Sequence, residues 1–249
     1  MKKLLANLRV RYLLAALAGL MLAAAFPGIG ISGFAWVAPA VLLACARGRT
    51  GGQAFRIGYV GGLAHYLLSL GWLLHIPVTG YPILGWFALS AYLAVFPATW
   101  VWLMHDKIGA GDWFGRQIQL IIGAAVWVGL EMTVSRLFTG FPWNLLGASQ
   151  YQMLPLIQVA SVTGVYGVSF LIIWLSLALY AASYRIVRHP GVRLGWQGEV
   201  MLPLGALVVL YGSGMMQLHE RAQPGDQVHA TLVQPSIPQT MIWDEQQND

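Results

Sequence analysis

Apolar residues along this chain come in long, nearly unbroken runs separated by short polar stretches, rather than recurring on one helical face or alternating. A helix needs about 20 such residues to cross the roughly 30 Å hydrocarbon core of a bilayer. Seven runs approach that length: residues 8–26, 31–46, 57–76, 83–104, 118–137, 162–184 and 200–216. The second is short, as a tilted or re-entrant helix would be. The pattern predicts a mainly α protein, a polytopic membrane helix bundle of about seven spans. Pro97 lies inside the fourth run and predicts a kink, because proline removes one backbone donor. Residues 58–62 carry small-residue spacing suited to close helix approach. The uncharged, Gly- and Pro-rich segments at 27–30 and 77–82 read as tight turns near the membrane surface.

Composition narrows the class. Apolar residues make up 57% of the chain and charged ones 9%, against roughly 25% charge in a soluble domain. A water-soluble globule is excluded, and so is disorder, which needs low hydrophobicity and high charge. A single cysteine excludes a disulfide framework or a cysteine-based metal cluster, and no cofactor is expected. A net charge of +5 in a soluble chain would point to nucleic acid. Here the cations sit in short runs between spans, with no basic face bearing interleaved aromatics, so no nucleic-acid partner is expected.

Those cations orient the bundle. With the N-terminus in the cytoplasm, twelve of the fourteen Lys and Arg residues fall on the cytoplasmic side, and only Arg136 and Arg221 fall outside. The segment after Met216 then emerges outside the cytoplasm. The basic start followed by an apolar run and Ala23-Ala24-Ala25 also resembles a signal peptide; in a polytopic chain it reads as a retained first helix. Leu42-Leu43-Ala44-Cys45 loosely resembles a lipoprotein signal, but it lies deep in the chain on the basic side, so Cys45 reads as a packing residue.

The longest outer connection runs from about 138 to 161, and loops of that length are usually functional. Phe141 and Trp143, flanking Pro142, suit contact with an acyl chain or headgroup, and equally a rigid interfacial turn. Residues 155–161 read as a surface-lying helix. Trp36, Trp86, Trp113, Trp143 and Trp196 lie near span ends, where indoles anchor at the interface. Glu131 is the only acid inside a predicted span. A charge there is costly, and the residue is read either as polar glue or as part of a substrate site. Arg136, five positions on, is rotated by about 140° on a 3.6-residue helix and would not meet it directly. His65 and His75, ten positions apart, lack the spacing for one metal and read as packing histidines bonded to a neighbouring helix. There is no Gly-x-Ser-x-Gly elbow, P-loop or His-Glu-x-x-His motif, hence no complete catalytic constellation. After 217 the chain turns polar, and 228–233 is a short β-prone run. The 22 residues from Val228 cannot bury a core alone, so they read as the opening of a domain cut off near its beginning.

The order and spacing of these pieces resemble the N-terminal half of the bacterial apolipoprotein N-acyltransferases. The carrying residues are Trp127-x3-Glu131, then Thr139-Gly-Phe-Pro-Trp143, Gln150, and Gly164-Val-Tyr-Gly-Val-Ser-Phe170. Leu232-Val-Gln234-x3-Pro238-Gln239 and Trp243-Asp-Glu245 follow and are similar to the entry of that family's nitrilase-like domain. The resemblance implies a transmembrane bundle over 1–220 and the truncated start of a nitrilase-like (carbon–nitrogen hydrolase) α/β domain, with its first strand, over 221–249. It implies an enzyme that takes an acyl chain from a phospholipid onto a cysteine as a thioester. The chain then passes to the N-terminal amine of the diacylglyceryl-cysteine of an apolipoprotein. The partners would be the phospholipid donor, the apolipoprotein acceptor and the bilayer of the bacterial inner membrane, with the C-terminal domain periplasmic. The family's Glu–Lys–Cys triad would lie beyond Trp243, so this chain is expected to be inactive alone, and Cys45 is not that nucleophile. Trp243, Phe141, Trp143 and Glu131 are the implied substrate-binding residues. Two departures stand out: Val134 occupies the place of the family's usual Arg, and Ile242 that of a basic residue before the tryptophan. Other readings are a membrane-anchored nitrilase-like enzyme of different specificity, a small polytopic transporter using Glu131 and His65, and a non-catalytic scaffold. The transporter reading calls for inverted repeats, which the sequence does not show.

Overall fold

Capping side chains mark three helix starts at the cation-rich end of the spans, at Asn7, Thr50 and Asp112. A computed structural model describes residues 7–76, 81–109, 111–188, 197–221, 229–234 and 236. Helix α1 (Leu8–Ala24) opens on Asn7, whose side chain accepts from the Arg9 N–H at 3.0 Å. A 3-10 turn (Ser32–Trp36) leads into α2 (Ala38–Ala46). Helix α3 (Gly51–Ser69) opens on a reciprocal box in which the Thr50 side chain takes the Gln53 N–H and Gln53 takes the Thr50 N–H. Asp112 caps α6 (Trp113–Val134) by accepting from the Gly115 N–H at 2.9 Å. Each cap satisfies donors that a helix end leaves open, which lipid cannot do.

The fourth apolar run divides in two, α4 (Pro82–Leu93) and α5 (Val95–Met104), parted at Ala94. Proline deprives the residue four positions earlier of a donor. For Pro97 that residue is Leu93, so the break falls where the missing bond would have been. The third run starts earlier than its apolar stretch and ends in a 3-10 turn (Gly71–His75). The connection after α6 is a chain of short turns: Leu137–Thr139, Leu146–Gln150, α7 (Leu154–Ile157) and α8 (Ala160–Thr163). The surface helix expected at 155–161 is therefore two single turns. Two long helices complete the bundle, α9 (Val165–Arg188) and α10 (Gln197–Arg221). Residues 229–234 belong to no regular element, and no strand occurs among the described residues.

Five segments are long and apolar enough to cross a membrane: Gly51–His75, Pro82–Met104, Trp113–Val134, Val165–Arg188 and Gln197–Glu220. Helix α1, with 17 residues, extends about 26 Å at 1.5 Å per residue. Helix α2, with nine, extends only about 14 Å. It is wrapped by the others, with Leu42, Leu43, Cys45 and Ala46 all buried.

Glycines allow the close approaches at the centre. Helix α1 lies along α3, and a Cβ on Gly19 would collide with the Gly61 carbonyl. On the other side of α3, a Cβ on Gly62 would lie 2.6 Å from Pro97 Cγ, and one on Gly58 2.8 Å from Ala98 Cα. Helix α3 is thus clasped between α1 and α5 through backbone-level contacts that larger residues would prop apart.

The cations near the starts of α1 and α3 and the end of α9 are structural ties. Arg11 Nη1 donates to the carbonyls of Cys45 (2.6 Å) and Arg47 (2.8 Å), closing the end of α2. Arg47 Nη1 donates to Tyr180 Oη (2.6 Å), and its guanidinium lies 3.5 Å from the Tyr184 ring centroid. Glu199, 0% exposed, accepts from Arg116 Nε at 2.6 Å and Arg185 Nη1 at 2.7 Å, binding α10 to α6 and α9.

Candidate functional site

At the opposite end of the bundle, residues 137–150 fold into a compact cap. Phe138, Thr139 and Asn144 sit at φ of 53°, 75° and 57°, a region that non-glycine residues rarely occupy without tight external support. Gly140 has φ 84°, and a Cβ there would collide with the Ser135 carbonyl oxygen, so only glycine fits. The cap is held by the Phe141 N–H on the Val134 carbonyl (2.9 Å) and by the Gly147 N–H on Ser169 Oγ (2.8 Å). The Leu146 N–H donates to Glu131 Oε1 at 2.7 Å. Gln150 completes the docking: it accepts from Trp36 Nε1 (3.1 Å) and donates to the Ser32 carbonyl (3.1 Å), joining the cap to the turn before α2.

Glu131 is 8% exposed and lies on the inner face of α6. Trp127, four residues earlier and hence on the same face, donates Nε1 to Glu131 Oε1 at 3.0 Å. Trp127 is itself braced edge-on against Trp100, with centroids 5.1 Å apart. The Ser169 hydroxyl is a further polar neighbour of the carboxylate. Arg136 turns back to the Met132 carbonyl (3.0 Å), and no Glu131–Arg136 ion pair occurs among the described residues.

Phe141 and Trp143 come together. Phe141 packs beside Leu70, Leu93 and Val134, while Trp143 is 51% exposed, 6.3 Å from Phe141 and 5.2 Å from Trp72, centroid to centroid. Trp143 and Trp72 border an apolar groove of about 740 Å³, whose walls include Phe26, Pro27, Pro142 and Val165. That volume falls within the range of small-molecule sites. Behind the groove, and sharing Phe26, Trp143, Asn144 and Leu145 with it, is a small chamber of about 30 Å³ that reaches Glu131 and His65.

The sequence reading missed Trp72 and Asn144. Trp72 lies within the 3-10 turn Gly71–His75, which no apolar periodicity announced, and Asn144 matters through a backbone conformation that the sequence does not display. His65 is 3% exposed against Phe26 and Tyr66, at 5.6 and 4.6 Å between centroids. Its Nδ1 has no partner among the described residues, unlike the helix-bonded histidine expected. His75 is exposed on the turn after α3. Among the described residues, no three His, Cys, Asp or Glu side chains are grouped to hold a metal. Trp243 lies outside the described residues.

The stacked apolar helices and the aromatic-rimmed groove define a multi-pass membrane protein. The family model for the apolipoprotein N-acyltransferase N-terminal domain matches residues 18–178, which include Glu131 and the whole cap, and the chain belongs to that family. It is 41% identical over 245 residues to the apolipoprotein N-acyltransferase of Geobacter metallireducens, covering 94% of this chain and 44% of that relative. Over 234 residues it is 34% identical to the enzyme of that name in Nitrosomonas europaea, covering 86% and 43%. The Methylococcus capsulatus apolipoprotein N-acyltransferase is 32% identical over 241 residues, covering 93% and 45%. The chain thus spans less than half the length of these curated relatives.

Proposed function

We propose that this chain is the membrane-embedded part of an apolipoprotein N-acyltransferase of the bacterial inner membrane, and that its groove receives the acyl chains of the lipid substrates. The bundle crosses the membrane seven times with the N-terminus cytoplasmic, the Ser32–Trp36 turn and α2 together making the second crossing, as the twelve-to-two division of cations favours. The groove then opens on the periplasmic side, where residues 221–249 lead into a nitrilase-like unit carrying a Glu–Lys–Cys triad. There the cysteine thiolate attacks a phospholipid ester carbonyl and releases a lysophospholipid, leaving an acyl thioester. The α-amine of a diacylglyceryl-cysteine attacks that thioester, an amide forms, and the thiol is regenerated. Covalent catalysis of this kind needs a base beside the nucleophile and donors for the oxyanion.

The observation that carries this reading is the apolar groove of about 740 Å³ beneath the Phe141–Trp143 cap, inside the segment matched by the family model. Both substrates are amphiphiles, so the groove's apolar walls hold their tails while the reacting ester and amine stay at the surface. That placement supplies proximity, a large part of the barrier reduction in a two-substrate transfer. Trp143 and Trp72 form the rim, Phe141 backs Trp143, and Trp243 contributes to substrate binding. Glu131 acts from behind, through Leu146.

The test replaces the equivalent N-terminal part of the Geobacter metallireducens relative with residues 1–249 and measures acyl transfer from phospholipid to a diacylglyceryl lipopeptide. Transfer is expected, and it should fall with Trp143→Ala, Trp72→Ala or Trp243→Ala while the protein stays folded. A folded, membrane-inserted chimera that forms the thioester but leaves the lipopeptide unacylated would point to another acceptor. Unchanged turnover in all three tryptophan variants would remove the rim from the site.

A further inference from the structure

Three residues that line the chamber behind the groove each carry a buried polar atom with no hydrogen-bond partner among the described residues: Glu131 Oε2, His65 Nδ1 and Asn144 Nδ2. Buried polar groups are almost always satisfied, and a bare one is costly, so three around one cavity call for a ligand. Their chemistry narrows it. Glu131 Oε1 already takes two N–H groups, from Trp127 and Leu146, and the Ser169 hydroxyl neighbours the carboxylate without closing on Oε2, which is left to take a donor. The Asn144 amide nitrogen needs an acceptor, and His65 Nδ1 takes either role according to tautomer. The ligand must therefore both donate and accept. An acyl chain does neither. A metal ion would find one carboxylate and one imidazole, fewer ligands than its coordination shell requires. The chamber offers about 30 Å³, while a water needs roughly 10–15 Å³ on the same measure and two to four polar partners.

We propose that this chamber is a built water site, in which one or two ordered waters donate to Glu131 Oε2, accept from the Asn144 amide and bond to His65. The waters join α3, α6 and the cap at one point. Asn144 follows Trp143 directly and holds a left-handed φ of 57°, a conformation that gains support when its side chain is fastened. Together with the bond from the Leu146 N–H to Glu131, the hydrated chamber sets where Trp143 stands at the groove. Glu131 and His65 are thus positioning residues for the rim. The inference is independent of the acyl-transfer reading, because it rests on the chamber alone.

The chain has three asparagines, at 7, 144 and 248, so asparagine-selective ¹⁵N labelling of the folded chain in micelles gives few side-chain amide signals. The signal lost in Asn144→Gly identifies Asn144. It is expected to show cross-peaks to long-lived water in the wild type. His65→Phe, which fills the chamber with an apolar ring, should abolish those cross-peaks and speed deuterium exchange at the Leu146 amide by roughly tenfold, the scale of one buried hydrogen bond. Asn144→Gly should speed that exchange too, and glycine adopts positive φ without strain, so this variant serves if His65→Phe fails to fold. Cross-peaks to lipid methylenes in place of water would overturn the proposal. So would absence of water cross-peaks in the folded wild type, or unchanged Leu146 exchange in the variants that fold.

Discussion

Replacing Glu131 separates two roles that a buried carboxylate can play, as a charge and as an acceptor. Glu131 Oε1 receives the Trp127 indole N–H at 3.0 Å and the Leu146 backbone N–H at 2.7 Å, both away from water. Glu131→Leu leaves two buried donors bare, at about 1–3 kcal/mol each, for a gross loss of about 2–6 kcal/mol. Relief from burying an ionised group works against this loss, so the net destabilisation should be about 2 kcal/mol or more. Glu131→Gln keeps an oxygen in reach of both donors and gives up only the charge-assisted part, about 1 kcal/mol. The assay is reversible unfolding of the purified chain in mixed micelles, followed by far-UV circular dichroism, with amide exchange at Leu146 as the local readout. The Leu variant should unfold earlier and exchange faster at Leu146, with the Gln variant close to wild type. Equal stability of the two would refute the reasoning, because the acceptor geometry would then contribute nothing.

Gly19→Ala forces a methyl into the Gly61 carbonyl and should cost about 1–3 kcal/mol of bundle stability, whereas Gly52→Ala, with open space around it in the first turn of α3, should be neutral or slightly stabilising; paired melting curves in detergent check both. Glu199→Ala leaves Arg116 and Arg185 without their shared carboxylate and should loosen the start of α10, with a loss of about 3–5 kcal/mol expected for breaking a buried ion network. Faster proteolysis and exchange around residues 197–203, with the cap at 137–150 unaffected, would bear this out. In vesicles, a phospholipid with a photoreactive acyl chain should label the groove, and the double variant Trp72→Ala/Trp143→Ala should lower labelling there severalfold. Equal labelling would dissociate the aromatic pair from lipid contact.

Much of the bundle was legible because the membrane imposes a one-dimensional rule: apolar length decides where helices form, and cation placement biases their direction. The runs at 118–137, 162–184 and 200–216 reappear as the cores of α6, α9 and α10, and Pro97 announced the interruption of the fourth run. The Trp127–Glu131 pairing follows from helical periodicity, as does the failure of Arg136 to meet Glu131. Other features depended on contacts between residues far apart in the chain. No local pattern tells that Glu131 closes on the Leu146 amide, that Trp72 stands beside Trp143, or that His65 and Asn144 line one chamber. The left-handed backbone at 138, 139 and 144 runs against local preference and survives because α6, α9 and the Ser32–Trp36 turn each hold the cap through a specific hydrogen bond. Solvation by lipid is a property of each residue and can be read along the chain. The site is a property of which helices meet, and only the packed structure decides that.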